Sequence, residues 1–211
     1  MSRAVIIGLG GLGCPAALAL AEVMPGLALV LVDDDVVEVS NLPRQILFAE
    51  EDAGRPKALV AAERLATLTE VEPRVERFTA ASAPRLLAGA DVLLDGTDNF
   101  ETRFLANDAA LAAGVPLVHG AALGYRGQVM TILPGQGPCL RCLFEGPPPP
   151  GSVPACAEAG VLAPLCGVVG AAMAGAALDV LHRRASPGIL ISWDRARERR
   201  IAVPRDPACR H

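Results

Sequence analysis

The sequence predicts an α/β fold in one domain over residues 1–211, a largely parallel sheet with helices on both faces and antiparallel strands added at its C-terminal end. Three observations predict it. A short apolar run, Ala4 to Ile7, opens into the glycine turn Gly8-Leu9-Gly10-Gly11-Leu12-Gly13. A second apolar run, Ala28 to Val32, delivers Asp33 twenty residues after Gly13. Strand and helix signals then alternate as far as Val118, the pattern of crossover units that place strands side by side in one direction.

The first element has a physical reason for each part. Gly8, Gly10 and Gly13 stand at the spacing of a Rossmann-like nucleotide-binding turn, and Pro15 suits the first turn of the helix that follows. Glycine lets backbone approach a phosphate, and the helix turns its unpaired amides toward the anion. Asp33, at the end of the second strand, occupies the place where a carboxylate holds ribose hydroxyls. The turn alone leaves the nucleotide open, and a tightly packed turn with no ligand is its bland alternative.

Further along, Gly54 to Glu70 reads as a helix with Leu59, Ala62, Leu65 and Leu68 on its apolar face. Strands follow at Arg74 to Phe78 and Asp91 to Leu94, then a helix from Phe100 to Ala113 and a strand from Val115 to Val118. Gln128 to Leu133 alternates like a half-exposed strand. A proline-rich stretch at about 134–155, including Pro147 to Pro150, reads as an extended connector within the domain. The 20 residues from Ala159 to Leu178 carry no charge and have the length of a membrane span. Their glycines and the need to keep Cys139, Cys142 and Cys209 on one side favour a buried helix. Ile189 to Trp193 and Arg199 to Val203 complete the sheet as a hairpin.

Composition narrows the function. With 19 basic and 23 acidic residues the net charge is −4, and the basic residues are scattered, which argues against a nucleic-acid partner. Met1-Ser2-Arg3 leads straight into a strand, leaving no room for a leader peptide, so a cytoplasmic location off the membrane is expected. Six irregularly placed cysteines, two of them in Cys139-Leu140-Arg141-Cys142, point to metal or thiol chemistry rather than a disulfide framework. Lys57 is the only lysine, a compact cation in a chain that otherwise uses arginine.

Beyond the turn come Ser40-Asn41-Leu42-Pro43-Arg44-Gln45, then Arg55-Pro56-Lys57, then Asp95-Gly96-Thr97-Asp98-Asn99. On these runs the chain, from Val5 to Cys209, resembles the ThiF/MoeB family of sulfur-carrier adenylyltransferases, relatives of ubiquitin-activating enzymes. The resemblance implies an ATP-dependent enzyme that adenylylates the C-terminal Gly-Gly carboxylate of a ubiquitin-like sulfur carrier. It also implies a homodimer and a sulfur donor such as a cysteine desulfurase. The nucleotide-binding set it implies is Gly8, Gly10, Gly11 and Gly13 of the turn, Asp33 and Asp35, Ser40, Asn41 and Arg44, Lys57, and Asp98 with Asn99. Arg44, Lys57 and Asp98 fall at catalytic positions, Asp98 as the Mg²⁺ ligand, and Cys156 matches a cysteine that some relatives use covalently. Cys156 is otherwise a packed or idle thiol.

Cys139 and Cys142 have zinc-knuckle spacing, which in the family is completed by a second C-x-x-C. Here Cys209 is followed by Arg210 and His211, so His211 is one candidate for the fourth ligand and a three-cysteine or metal-free end is the other. Members of the family often begin with a helical extension whose arginine crosses the dimer to the phosphates. Only Arg3 precedes the first strand here, which puts that contact in doubt. Cys14 and Cys166 read as core, and His119 as a buried structural histidine rather than cleft lining. Asp33-Asp34-Asp35 and Arg44-Gln45-Ile46-Leu47-Phe48 favour the thiamine-pathway type over the molybdopterin-pathway type. A non-catalytic carrier-binding homologue is a second reading, against which intact Arg44, Lys57 and Asp98 speak. A nicotinamide oxidoreductase is a third, for which no proton-transfer pair stands out.

Overall fold

The computed structural model describes residues 1–144, 146–147, 160–195 and 197–211. Its sheet contains β1 (Arg3–Ile7), β2 (Ala28–Val32), β3 (Val71–Arg74), β4 (Val92–Asp95), β5 (Leu117–Leu123), β6 (Arg126–Ile132), β7 (Ile189–Asp194) and β8 (Arg197–Ala202). They lie in the order β3-β2-β1-β4-β5-β6-β7-β8. The first five strands pair in parallel, and β6, β7 and β8 are added antiparallel, as the sequence predicts. The strand order reverses between β1 and β4, and it is there that a doubly wound sheet opens a crevice at its carboxyl edge.

Alternation along each strand divides the core in two. Ala4 and Ile6 of β1, with Leu29, Leu31 and Leu94, face helices α1 (Gly13–Val23), α2 (Lys57–Leu65) and, later in the chain, the long apolar helix Ala163–Leu181. Val5, Ile7, Val30 and Leu93 face the other way, onto α3 (Ala83–Leu87), α4 (Phe100–Ala113) and α5 (Leu140–Leu143). That long helix, α6, is apolar enough to cross a membrane by length and composition, with mean hydropathy 1.7. It is instead packed on α1 and on strands β4, β5 and β6 through Leu165, Val169, Met173 and Ala177. Its start at Ala163, with Pro164 in the first turn, lies later than the uncharged run suggests.

Several elements depart from expectation. Strand β3 ends at Arg74 instead of running from Arg74 to Phe78, because its partner β2 offers only Leu29 to Val32 for pairing. Residues 76–78 turn into the crevice instead. In α2 the buried apolar residues are Ala58, Val60, Ala61, Ala62 and Leu65, whereas Leu59 and Leu68 are 41% and 39% exposed. Lys57 at the head of that helix is buried, and residues one and two turns on must follow it inward. The stretch from about 134 to 155 is not all extended, since Leu140–Leu143 forms α5, and its end, including Cys156 just beyond, lies outside the described residues. Helix α3 has no counterpart among the elements read from sequence.

The glycine turn is tightly constrained. Gly8 has φ +82° and lies against the Gly96-Thr97 backbone, while a Cβ on Gly13 would sit 1.9 Å from the Gly8 carbonyl oxygen. Gly13→Ala is therefore expected to destabilise the fold by roughly 3–5 kcal/mol, since the obstacle is backbone. Urea unfolding checks it, and a variant as stable as the parent would refute the close contact.

Candidate nucleotide and metal sites

A cleft of about 420 Å³ opens at the carboxyl ends of β1, β2 and β4. One wall is the glycine turn, from Gly8 through Gly10, Gly11 and Leu12, and α1 behind it has no side chain capping its N-terminus. Two of its first amides are held by the turn itself, Cys14 N donating to Gly10 O and Ala16 N to Leu12 O, both at 3.1 Å, and Pro15 has none. Asp33 fixes the turn to β2: one carboxylate oxygen accepts from Leu9 N at 2.6 Å and the other from Asp35 N at 2.8 Å. Burial raises the Asp33 carboxyl, against the pull of Lys57 and these two amides.

The opposite wall is cationic. Lys57 is 5% exposed, and its Nζ donates to Asp35 Oδ2 at 2.9 Å. Arg44 donates to the Asn41 side chain, and both line the cleft. Asp98 is exposed at the rim, and among the described residues no side chain pairs with it. Its neighbour Asn99 takes the capping role instead, accepting from Thr102 N at 2.8 Å as the N-cap of α4. The cap thereby leaves the Asp98 carboxylate to solvent or a cation.

Two of the nucleotide positions are not brought to the cleft. Ser40 is exposed and its hydroxyl donates to Glu38 at 3.5 Å, because the short 3₁₀ turn Val39–Asn41 carries Asn41 inward and Ser40 outward. Gly13 serves packing against Gly8 rather than the cleft surface.

Other lining residues lie outside the nucleotide-binding set that the resemblance implies. Gln45 is 3% exposed, with its Oε1 lacking a partner among the described residues. Arg103, one helical turn after the Asn99 cap, donates from Nε and Nη2 to Thr97 O at 3.1 and 2.9 Å. Arg77 and Phe78 enter from the end of β3. Cys166 is buried as expected but also lines the cleft, beside Gly11. Cys14 is buried, and burial pushes its thiol up to about 12.

Behind the cleft, His119 is a buried structural histidine, paired through Nδ1 with Asp95 Oδ2 at 2.8 Å. Burial pushes the Asp95 carboxyl up, but His119, Arg103 and Thr97 outweigh it and hold the group below the usual carboxylate range. The stability this contributes is complete above about pH 4 and is lost as pH falls through the lower folded value. Urea unfolding of Asp95→Asn is expected to show its full deficit at pH 7 and a closing gap below pH ~4. A deficit independent of pH would contradict an ionised Asp95.

The second site lies on the far side of α4. Cys139 Sγ is 4.0 Å from Cys142 Sγ and 3.6 Å from Cys209 Sγ. These match the edge of a tetrahedron with metal–sulfur bonds of about 2.3 Å, which is about 3.8 Å. The three thiols fit three corners of a metal site. His211 does not join them: its Nε2 lies 3.7 Å from Asp108 Oδ1. Asp108 also anchors Arg141, the residue between the two knuckle cysteines, at 2.8 and 2.6 Å.

A doubly wound sheet with a glycine turn at its switch point, facing a lysine, an arginine and exposed carboxylates, defines the class as a nucleotide-binding α/β enzyme. The ThiF family model matches residues 1–210. A sulfur carrier protein adenylyltransferase of Thermus thermophilus is 47% identical, the match covering 97% of this chain and 80% of that protein. The SAMP-activating enzyme E1 of Haloferax volcanii is 46% identical over 92% of this chain and 73% of its own length. Adenylyltransferase and sulfurtransferase MOCS3 of Sus scrofa is 46% identical, and this chain spans 40% of it. Among solved structures, E. coli MccB with ATP shares the fold at TM-score 0.82 and 22% identity, over 99% of this chain and 66% of MccB. The chain belongs to the ThiF family, and by that membership it is an adenylyltransferase.

Proposed function

We propose that this chain uses ATP to adenylylate the C-terminal Gly-Gly carboxylate of a ubiquitin-like sulfur carrier, releasing pyrophosphate. The observation that carries this is the convergence of Arg44, Lys57 and Asp98 on one cleft of which the glycine turn is a wall. A carrier carboxylate oxygen attacks the α-phosphorus while the bond to the bridging oxygen of the β-phosphate breaks. Charge builds on the phosphoryl oxygens as the anionic carboxylate and phosphates are brought together. Lys57 and Arg44 meet that charge, with Asn41 orienting Arg44, while the amides of Gly10 and Gly11 approach the phosphates. Asp33 holds the ribose hydroxyls, using the lone pairs that Leu9 and Asp35 leave open. Asp98, exposed on the same cleft, would hold Mg²⁺, which when bound would neutralise part of the phosphate charge.

Zinc at Cys139, Cys142 and Cys209 is structural in this reading, bracing the C-terminal segment against α4. Metal analysis of the purified protein is expected to find about one zinc per chain. Cys209→Ser should lose it and His211→Ala should keep it; zinc loss in His211→Ala would return the imidazole to the ligand set. Cys156 is assigned to capture of the activated carrier: its thiolate attacks the acyl-adenylate carbonyl, the carbonyl–oxygen bond to the phosphate breaks and AMP leaves, giving a thioester before sulfur arrives from a donor such as a cysteine desulfurase. A homodimer formed through the exposed Val168, Ala171 and Gly175 stripe of α6 fits the small residues there. The acidic run at Asp33 and the Arg44 to Phe48 segment make a thiamine-pathway carrier the first to test, with a molybdopterin-pathway carrier beside it.

Intact mass spectrometry tests the reaction. A Gly-Gly-ending carrier incubated with the protein and Mg·ATP should gain one AMP at its C terminus, trapped with excess pyrophosphatase. A carrier lacking the last glycine should gain none, and an unmodified carrier set throughout would refute the assignment.

A further inference from the structure

We infer that His119 is a positioning residue for the metal-side carboxylate of the cleft, acting on Asp98 through Asp95 and Thr97. The inference rests on the reading above that Asp98 holds the cation of Mg·ATP. His119 itself is 2% exposed and does not line the cleft, so it touches neither nucleotide nor carrier.

The route is short and made of strong contacts. Asp95 ends β4 and sits directly opposite His119 in the β4–β5 register. Its side chain is fully buried, and its Oδ1 accepts from Thr97 N at 3.0 Å and from Thr97 Oγ1 at 2.6 Å. Oδ2 is held by His119 Nδ1 at 2.8 Å. On its other side Thr97 is gripped through its carbonyl by Arg103, and Gly96 N donates to Ile7 O at 3.0 Å. Residues 95 to 97 are thus fixed from three directions, and Asn99 is fixed as the cap of α4. Asp98 lies between these anchors with its own side chain outward. Its direction is set by its neighbours.

An ionised Asp95 only accepts hydrogen bonds, so Nδ1 of His119 carries the proton it shares. Remove that donor and a carboxylate oxygen is left buried and unpaired, at a cost comparable to a charged hydrogen bond. Asp95 must then take up a proton or rotate toward another donor. Either change weakens its hold on Thr97, and an ångström of slack at Asp98 matters to a metal site. A histidine that only fills the core would act on stability alone.

The experiment measures binding of Mn²⁺, by its electron paramagnetic resonance signal, to the full chain with a non-hydrolysable ATP analogue. His119→Leu is expected to weaken Mn²⁺ binding about 10- to 100-fold, as loss of a partner behind a metal ligand does. His119→Gln, whose amide N–H still reaches Asp95, should restore most of it. Thr97→Val, which keeps the size of the side chain and removes the hydroxyl link, should weaken Mn²⁺ binding in the same direction, and it serves if His119→Leu does not fold. Metal-free nucleotide binding should be unchanged in the His119 variants. Unaltered Mn²⁺ binding in the folded variants, or a parallel loss of metal-free nucleotide binding, overturns the inference. A wild type that binds no Mn²⁺ with the analogue refutes the ATP reading and this inference together. Absent carrier turnover with His119-dependent Mn²⁺ binding refutes only the carrier assignment.

Discussion

Lys57→Ala is expected to lower carrier-dependent ATP–pyrophosphate exchange by about 10²–10³-fold, the loss typical of removing one preorganised electrostatic group. The ammonium is buried at the head of α2 and fixed on Asp35, so its charge acts in a partly water-excluded wall of the cleft. Its ion pair adds little to stability, because the Asp35 side chain is 70% exposed. Lys57→Met, which keeps the aliphatic stem against the α2 face, should fold like the parent and lose the same activity. Lys57→Arg should not rescue, since a guanidinium is wider than the buried site and spreads its charge. Exchange within threefold of wild type in a folded Lys57→Met protein would remove Lys57 from the reaction.

Asp98→Ala should have an effect as large, on the order of 10³-fold on exchange, through loss of metal-assisted charge neutralisation. Its side chain is exposed and pairs with no described residue, so thermal stability should move little. The contrast with Asp95 three residues earlier is instructive. Asp95 is fully buried and bonded to Thr97 and His119, so its loss should lower stability first and activity as a consequence. Activity and melting temperature measured on both variants separate the two carboxylates. An Asp98→Ala protein that exchanges normally at low Mg²⁺ would place the cation elsewhere.

Strands β1, β2 and β4 of the parallel half were readable because each is a short apolar run closed by glycine or acid, and because Gly8 to Gly13 and Asp33 specify one local geometry. The residues in sequence runs, Asn41, Arg44, Lys57 and Asp98, line one cleft. What could not be read depends on partners distant in sequence. The pairing of Asp95 with His119 needs the β4–β5 register, and the burial of Arg103 needs the Thr97 carbonyl placed beside α4. The end of β3 was set by how much of β2 remained to pair, not by the propensity of Val75 or Phe78. His211 stands beside Asp108 rather than with the thiols, and the attachment of Asp108 to Arg141 leaves no trace in spacing. Ser40 shares a sequence run with Asn41, yet one short turn sends its hydroxyl to Glu38 instead of the cleft.

The central claim is that this cleft activates a carrier carboxylate with ATP, and isotope exchange between pyrophosphate and ATP reads that half-reaction directly. With a Gly-Gly-ending sulfur carrier, wild-type protein is expected to show exchange that requires Mg²⁺ and disappears when the carrier's last glycine is removed. No exchange with either a thiamine-pathway or a molybdopterin-pathway carrier, from folded protein that binds ATP, would contradict the account.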